Sequence, residues 1–396
     1  MKLFVRGFCC YRRMMSTGAK IKSYLKVPKI SNILKARPLQ THLCEQPSFC
    51  PPSPLETLED IKGYVSAHDK ANVYVVDFGE SDFGSRANFG RGHNHEVLAA
   101  GCPTSFDSLL SRLGNSPVNK LNTAFADSLC VLGSVSCQDL ALRCKDFTAS
   151  IPEERSVLIE CVREARRRGT AILTTVFQSV RPGHAQVYLV NGDHDHMTTA
   201  VGSLYAVYKV KPVVINVDLH ADARPSEDGP HSGTWCSEIF ESEWARTAYC
   251  VGLNPLSNSQ STINNLDQHG VVYSPYTWDR LKSGDVTLAQ AAHDITDEIL
   301  DHALSSEHPG GELPPIILSI CGDSVLGLPS SAGTDMVGYS VDDVYAFIAG
   351  ICRRVPVSCL TVAEAKTSLN PHRASCVGEF LTQTLFLYQL SHHQLI

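Results

Sequence analysis

The sequence predicts an α/β fold in which a mostly parallel sheet is covered by helices on both faces. Apolar segments and helical segments alternate from about residue 71 onward, which is typical of parallel sheets. Several apolar segments are continuous, as in strands that are buried on both faces. Predicted strands lie near 73–78, 186–190, 213–218, 247–252, 270–273, 315–320 and 357–362, and predicted helices at 152–168, 286–304, 341–353 and 374–392.

Charge and capping patterns place the ends of two of these helices. Pro152 suits a first helical turn, and a basic run follows near the other end before Gly169, so the pattern predicts a helix over 152–168. Ser340 is a candidate N-cap, with Asp343 three residues later in the position of a capping box.

Composition indicates one large domain over 65–396. The chain has 396 residues, of which 43% are hydrophobic, and a formal net charge of −7. These values allow a large core and argue against general nucleic-acid binding. No run of 18 apolar residues is present, so we predict no membrane-spanning helix. The 15 cysteines have no CxxC spacing, which favours reduced thiols inside the cell.

The N-terminal region has a different composition. Residues 1–44 contain ten Lys or Arg and no acidic residue, as in a transit peptide, so we predict mitochondrial targeting. A basic tail without a targeting role, in a cytoplasmic protein, is the alternative. Residues 45–64 are rich in proline and are predicted to be a linker.

The most informative motif follows the apolar segment 213–217. Asp218, His220 and Asp222 occupy alternate positions there, and alternate residues of a strand point to one face. Buried charges are costly unless they are paired or bind a metal. The motif therefore predicts a metal site, whereas a solvated loop is the less demanding alternative.

Two other predicted strands end in potential ligands. His194 follows the strand near 186–190, and Cys321 and Asp323 follow the strand near 315–320. Ligands of parallel α/β sheets bind beyond the carboxyl ends of the strands. The three segments together predict one shared site.

These segments resemble the ureohydrolase, or arginase, family, which includes arginase, agmatinase and formimidoylglutamase. The resemblance covers most of 70–396. The matching segments are Gly192-Asp193-His194, Asp218-Leu219-His220-Ala221-Asp222, Ser319-Ile320-Cys321-Gly322-Asp323, Glu364 ahead of Asn370-Pro371, and Asn88-Phe89-Gly90-Arg91-Gly92. Arg224-Pro225 and His231-Ser232-Gly233-Thr234 are most similar to formimidoylglutamase. That branch continues with Pro-Phe-Arg, where this chain has Trp235-Cys236-Ser237.

The resemblance implies a three-layer α/β/α fold and two Mn²⁺ ions. It assigns His194, Asp218 and Asp222 to the first ion and Asp218, His220 and Asp323 to the second. A further aspartate bridges both ions in the family, and Cys321 occupies that position here. The resemblance also implies a homo-oligomer, either a trimer or a hexamer.

The resemblance implies catalytic roles as well. Asp222 would move a proton to the leaving nitrogen, and Glu364 would pair with the cationic part of the substrate. The implied substrate-binding residues are Arg224, Ser232, Gly233, Thr234 and Glu364. The substrate would be a small linear amidine or guanidine, such as a formiminoglutamate-like or guanidino acid.

Cys321 leaves two functions open. A thiolate favours softer ions such as Zn²⁺, so the site could hold two Mn²⁺, one ion, Zn²⁺ or none. The first hypothesis is a metal-dependent hydrolase that cleaves an amidine C–N bond. The second is a non-catalytic relative with a structural or regulatory role.

Several nearby residues have less specific interpretations. His196 is predicted to lie at the surface, with a ligand role as the alternative. Asp193 and Asp195 are predicted to hold histidine rings or backbone amides. For His93 and His95 we predict a loop position without a function.

Overall fold

The computed structural model describes residues 25–30, 40–46, 48–68, 73–79, 83–88, 104–135, 137–144, 146–180, 186–304, 313–330, 337–367 and 370–392. His93, His95 and most of the predicted leader lie outside the described residues. Asn88 is the described member of the Asn88–Gly92 segment. Among the described helices, none has the length and apolar character that crossing a bilayer requires.

One eight-stranded sheet forms the centre of the described structure. Its strands are β1 (Leu25–Lys26), β2 (Val73–Asp77), β3 (Leu129–Val135), β4 (Gln186–Asn191), β5 (Val213–Val217), β6 (Thr247–Val251), β7 (Ile316–Cys321) and β8 (Val357–Ala363). They lie in the order β1-β3-β2-β4-β8-β7-β5-β6. The β1–β3 pair is antiparallel and the other pairs are parallel. The predicted mostly parallel sheet is therefore confirmed.

Helices cover both faces of this sheet. They are α1 (Leu58–Ala67), α2 (Phe83–Ala87), α3 (Ser105–Gly114), α4 (Thr123–Ser128), α5 (Gln138–Arg143), α6 (Pro152–Ser179), α7 (Met197–Tyr208), α8 (Trp235–Glu241), α9 (Gln260–Gln268), α10 (Trp278–Ser283), α11 (Leu288–Leu304), α12 (Val341–Cys352) and α13 (Ala374–His392). One apolar core joins the sheet to α3, α11, α12 and α13, and the other joins it to α1, α6, α7 and α8. The three-layer α/β/α architecture is confirmed.

Some predicted boundaries were wrong. The segment 270–273 is not a strand, because it forms only an isolated bridge between Tyr249 and Val272. Strand β3, which lies inside the sheet, was not predicted. The prediction for Ser340 was correct, since its side chain accepts a hydrogen bond from the backbone N–H of Asp343.

Gly169 does not end the helix that begins at Pro152, because α6 continues to Ser179. It lies where the helix backbone closely approaches Phe78 and Thr199. A Cβ on residue 169 would lie 2.1 Å from Cε1 of Phe78. Packing against the sheet therefore requires a glycine inside the helix.

We expect Gly169→Ala to lower the free energy of unfolding by about 1–3 kcal/mol, the usual cost of overpacking a core. Urea unfolding measures this change. Gly63→Ala is the matched control, because a Cβ there meets nothing within 4 Å and alanine is favoured in a helix by about 0.5–1 kcal/mol. Equal effects of the two substitutions would contradict this explanation.

The predicted domain start at residue 65 was too late. Strand β1 pairs with β3, and Phe49 and Leu55 are buried in the two cores. Thr57 caps α1, which begins at Leu58. The described parts of 25–64 therefore pack as part of the domain and are not a free linker.

Candidate metal centre

Four adjacent strands bring the predicted ligands to one edge of the sheet. Strands β4, β8, β7 and β5 are neighbours and run parallel. Their carboxyl ends therefore lie side by side. His194 follows β4, the Asp218–Asp222 segment follows β5, Cys321 ends β7, and Glu364 follows β8.

His194 lies between two carboxylates. Its Nδ1 is 2.9 Å from Oδ2 of Asp218 and 3.0 Å from Oδ2 of Asp222. Its Nε2 forms a 2.9 Å hydrogen bond with the Ser319 hydroxyl. Burial alone would lower the pKa of His194, but the nearby carboxylates of Asp218 and Asp222 raise it well above the usual value. This geometry brings together the first predicted ligand set.

His220 forms a second group with Asp218 and Asp323. Its Nδ1 is 2.7 Å from Oδ2 of Asp323 and 3.6 Å from Oδ1 of Asp218. The backbone N–H of His220 donates to the same Asp218 oxygen at 2.8 Å. Burial would lower the pKa of His220, but the charge of Asp323, the hydrogen bond to Asp323 and the charge of Asp218 raise it to about 11. Asp218 is therefore shared by both groups.

Cys321 lies between the groups. Its Sγ and the ligand atoms of His194 and Asp218 lie within 4.8 Å of one another, and the same limit holds for its Sγ with Asp323 and Glu364. Burial, followed by the charges of Asp218, Asp323 and Glu364, raises the pKa of the Cys321 thiol well above its usual value. Without a metal, the thiol therefore adds no negative charge.

The residues present fit divalent cations. Among the described residues, Asp323 Oδ1 and Glu364 Oε2 are buried side-chain oxygens without a hydrogen-bond partner. Burial, followed by the charges of Asp323 and Asp222, raises the pKa of Glu364 to about 8. Buried carboxylates repel one another unless a cation lies between them. Carboxylate and imidazole ligands suit Mn²⁺.

Two site residues have a left-handed backbone, which is strained at Glu364 and tolerated at an aspartate such as Asp222. Asp222 has a φ of 48° and Glu364 a φ of 59°, a region that residues other than glycine, asparagine and aspartate rarely adopt. The backbone N–H of Glu364 donates to the Asn191 carbonyl at 2.9 Å, which anchors it beside β4. Such strain is concentrated at functional sites.

A cavity of about 230 Å³ opens onto these groups. Its lining includes Ser85, Asn88, Asp218, His220, Asp222, Arg224, Ser232, Gly233, Ser257, Asn258, Ser259, Thr262, Cys321, Asp323 and Glu364. The Arg224 guanidinium donates to Asn88 Oδ1, and the Asn88 amide donates to the Ser232 hydroxyl at 3.2 Å. Arg224 forms no ion pair with a carboxylate of the described residues, so its charge remains available to a ligand.

Thr234 is not among the residues that line this cavity. Thr234 is fully buried, its hydroxyl lies 2.5 Å from Glu238 Oε1, to which it can donate, and the same oxygen accepts from the His231 N–H at 3.0 Å. These bonds hold the turn before α8. In the described structure Thr234 therefore has a structural role, and its substrate-binding role stays a prediction.

The predictions for the residues around His194 were partly correct. Asp193 accepts hydrogen bonds from the Gly84 backbone at 2.8 Å and from Lys366 at 3.3 Å, as predicted for a bracing residue. His196 is only 1% exposed and stacks on Phe78 with ring centroids 4.4 Å apart. The surface position predicted for His196 is therefore wrong.

Sequence reasoning missed two residues that hold the ligand segment. The indole Nε1 of Trp235 donates to Asp222 Oδ2 at 2.9 Å. Asn258 accepts from the Ala221 N–H at 2.8 Å and donates to the Leu219 carbonyl at 2.9 Å. The departure from the family pattern at Trp235 could have pointed to its role, whereas nothing in the sequence around Asn258 indicated one.

We expect Trp235→Phe to weaken metal binding about 10- to 100-fold, the usual effect of removing a partner that orients a ligand. Isothermal titration with Mn²⁺ and with Zn²⁺ measures the change. Trp278→Phe is the control, because the Trp278 N–H has no hydrogen-bond partner in the described structure. Equal affinities of both variants would rule out the role of Trp235.

The fold and the site define a class of protein: three-layer α/β/α proteins with a carboxylate–imidazole centre at the carboxyl edge of a parallel sheet. A sequence model of the arginase family matches residues 119–342, more than half of the chain. The chain belongs to the arginase family.

Similar sequences include two bacterial formimidoylglutamases. The protein from Geobacillus sp. (strain WCH70) is 27% identical over 150 residues, which cover 36% of this chain and 42% of the relative. The protein from Staphylococcus carnosus (strain TM300) is 26% identical over 152 residues, which cover 35% and 49%. The matches thus span less than half of these relatives' length.

Similar solved structures share the fold over most of their length. The formiminoglutamase of Trypanosoma cruzi with Mn²⁺ has a TM-score of 0.57 at 17% identity and covers 83% of this chain and 97% of its own. The formimidoylglutamase of Bacillus subtilis has a TM-score of 0.56 at 14% identity and covers 97% and 99%. At these identities the likeness shows the fold alone.

Proposed function

We propose that this protein is a metal-dependent hydrolase of a linear amidine or guanidine that carries a carboxylate, such as a formiminoglutamate-like or guanidino acid. The observation that carries the proposal is the shared position of Asp218, between His194 on one side and His220 and Asp323 on the other. This arrangement suits two neighbouring cations, and amidine hydrolysis needs an activated water.

The residues of the chain have separate roles in this proposal. His194, Asp218 and Asp222 would hold one cation, and Asp218, His220 and Asp323 the other. Bound divalent cations would supply Lewis-acid activation of water. Asp222 accepts a proton and passes it to the leaving nitrogen. Glu364, at the cavity wall, pairs with the cationic amidinium of the substrate.

Cys321 supports altered metal use within this function. A thiol, which carries a negative charge only once it ionises, replaces the carboxylate that bridges two ions in the family, and sulfur is a softer ligand than a carboxylate oxygen. We propose that the affinity for Mn²⁺ is reduced and that softer divalent ions bind relatively better.

Arg224 provides a test of the substrate class. We expect Arg224→Gln to raise the KM for a carboxylate-bearing amidine about 10- to 100-fold, because a charged hydrogen bond contributes about 1.5–3 kcal/mol. The KM for the same amidine without the carboxylate is the control and should change little. Equal changes for both substrates would remove Arg224 from carboxylate recognition.

The function itself is tested with purified protein loaded in turn with Mn²⁺, Co²⁺ and Zn²⁺. Release of formamide, urea and ammonia is measured for a panel of formimino and guanidino acids. Metal-dependent turnover that EDTA abolishes supports the proposal. No turnover with any ion, despite bound metal, would exclude a hydrolase acting on these substrates.

Cys321 also favours a second candidate, a non-catalytic family member with a structural or regulatory role. Binding of no ion by the unaltered protein, together with a stable fold, would support it.

A mitochondrial location, with a cytoplasmic alternative, and a trimeric or hexameric assembly remain predictions. Localisation of a tagged protein and sedimentation analysis would test these two predictions.

A further inference from the structure

We propose that Cys321, Asp323 and Glu364 form a metal position that takes a thiophilic divalent cation of the Zn²⁺ class. This ligand set differs from the two sets that the family resemblance implies, because it uses Glu364 as a ligand. The position lies within the centre on which the proposed hydrolase depends, and it specifies which ion that centre selects.

Proximity is the first argument. The Cys321 sulfur and one carboxylate oxygen each from Asp323 and Glu364 lie within 4.8 Å of one another. All three residues are at least 95% buried, with exposed fractions of 1%, 2% and 5%. One cation can contact three atoms at these separations, since metal–ligand distances are about 2.0–2.3 Å.

Unpartnered oxygens are the second argument. Asp323 Oδ2 forms a hydrogen bond with His220, while Asp323 Oδ1 has no hydrogen-bond partner in the described structure. Glu364 Oε2 is also buried without a partner. A buried carboxylate oxygen without a donor costs free energy, and a cation would offset this cost.

The backbone supports the same arrangement. Glu364, which has a left-handed φ, directly follows β8, and Cys321 pairs in register with Ala363 at the ends of β7 and β8. The backbone N–H of Glu364 itself donates a hydrogen bond to the carbonyl of Asn191. The strained residue is thus held beside Cys321 by the sheet.

Ligand chemistry selects the ion. Sulfur together with carboxylate oxygens suits Zn²⁺ or Co²⁺ better than Mn²⁺. When the sulfur–metal bond forms, the thiol proton is released to solvent and the thiolate donates the bonding electron pair. The resulting three anionic ligands can offset the charge of one dication.

This ligand set has a consequence for Glu364. If Glu364 binds the cation through Oε2, it can pair with the amidinium of a substrate only through its other oxygen, Oε1. Glu364→Gln should therefore weaken metal binding itself, and not only substrate binding.

The test uses the full-length protein loaded with Zn²⁺ for X-ray absorption and with Co²⁺ for electronic spectra. We expect one sulfur neighbour at about 2.3 Å from zinc and a thiolate-to-cobalt charge-transfer band. Cys321→Ser should remove both signals, and Glu364→Gln should lower the zinc affinity at least about tenfold, as loss of a metal-orienting group does. Cys359→Ser is the matched control, a buried cysteine on β8.

Absence of a sulfur neighbour, or a sulfur signal that survives in Cys321→Ser, would overturn the proposal. An unchanged zinc affinity in Glu364→Gln would also overturn it, because Glu364 would then not be a ligand. These readouts need no turnover. A zinc–sulfur signal in an inactive protein would therefore refute the hydrolase while supporting the metal position.

Discussion

Asp218→Asn should abolish tight metal binding and lower kcat/KM by about 10³-fold or more. Both carboxylate oxygens of Asp218 are engaged, since Oδ2 faces His194 and Oδ1 faces His220. An amide offers one oxygen and no charge. Metal activation contributes several kcal/mol to such a reaction, and each 1.36 kcal/mol is a factor of ten in rate. Elemental analysis and steady-state kinetics measure the two effects.

The matched control for this substitution is Asp342→Asn at the exposed start of α12, which lies outside the centre. Its metal content and kinetics should equal those of the unaltered protein. Full metal content in Asp218→Asn would contradict the assignment of Asp218 as the shared ligand.

Cys321→Asp should raise the affinity for Mn²⁺ by at least about tenfold, with a larger gain than for Zn²⁺. The substitution adds a negative charge between His194, Asp218 and Glu364 and restores an oxygen ligand, which Mn²⁺ prefers. Changes in outer-sphere partners alone alter metal affinity 10- to 100-fold, so a direct ligand should have at least this effect. Equilibrium dialysis with each ion measures it.

The same substitution should make the melting temperature depend strongly on Mn²⁺. Without metal, a further buried carboxylate repels Asp218, Asp323 and Glu364 and destabilises the fold. A cation that binds only the native state reverses this loss. Cys321→Ser is the control, since it adds no charge. An unchanged Mn²⁺ affinity in Cys321→Asp would show that residue 321 does not face the ions.

Much of the fold followed from local patterns. Continuous apolar segments identified β4, β5, β7 and β8 because a strand buried on both faces needs apolar residues at every position. Strand β3 was missed, although it lies next to β2 in the sheet. Gly169 was misread, because its close contact with Phe78 joins residues that are far apart in the chain.

The sequence by itself determined the identity of the potential ligands and the strand ends that carry them, because spacing along a strand decides which side chains share a face. Tertiary structure alone decided their partners. Trp235 against Asp222 and Glu364 beside Cys321 are contacts across different elements. Such contacts depend on how the sheet and helices pack, and no local periodicity encodes that packing.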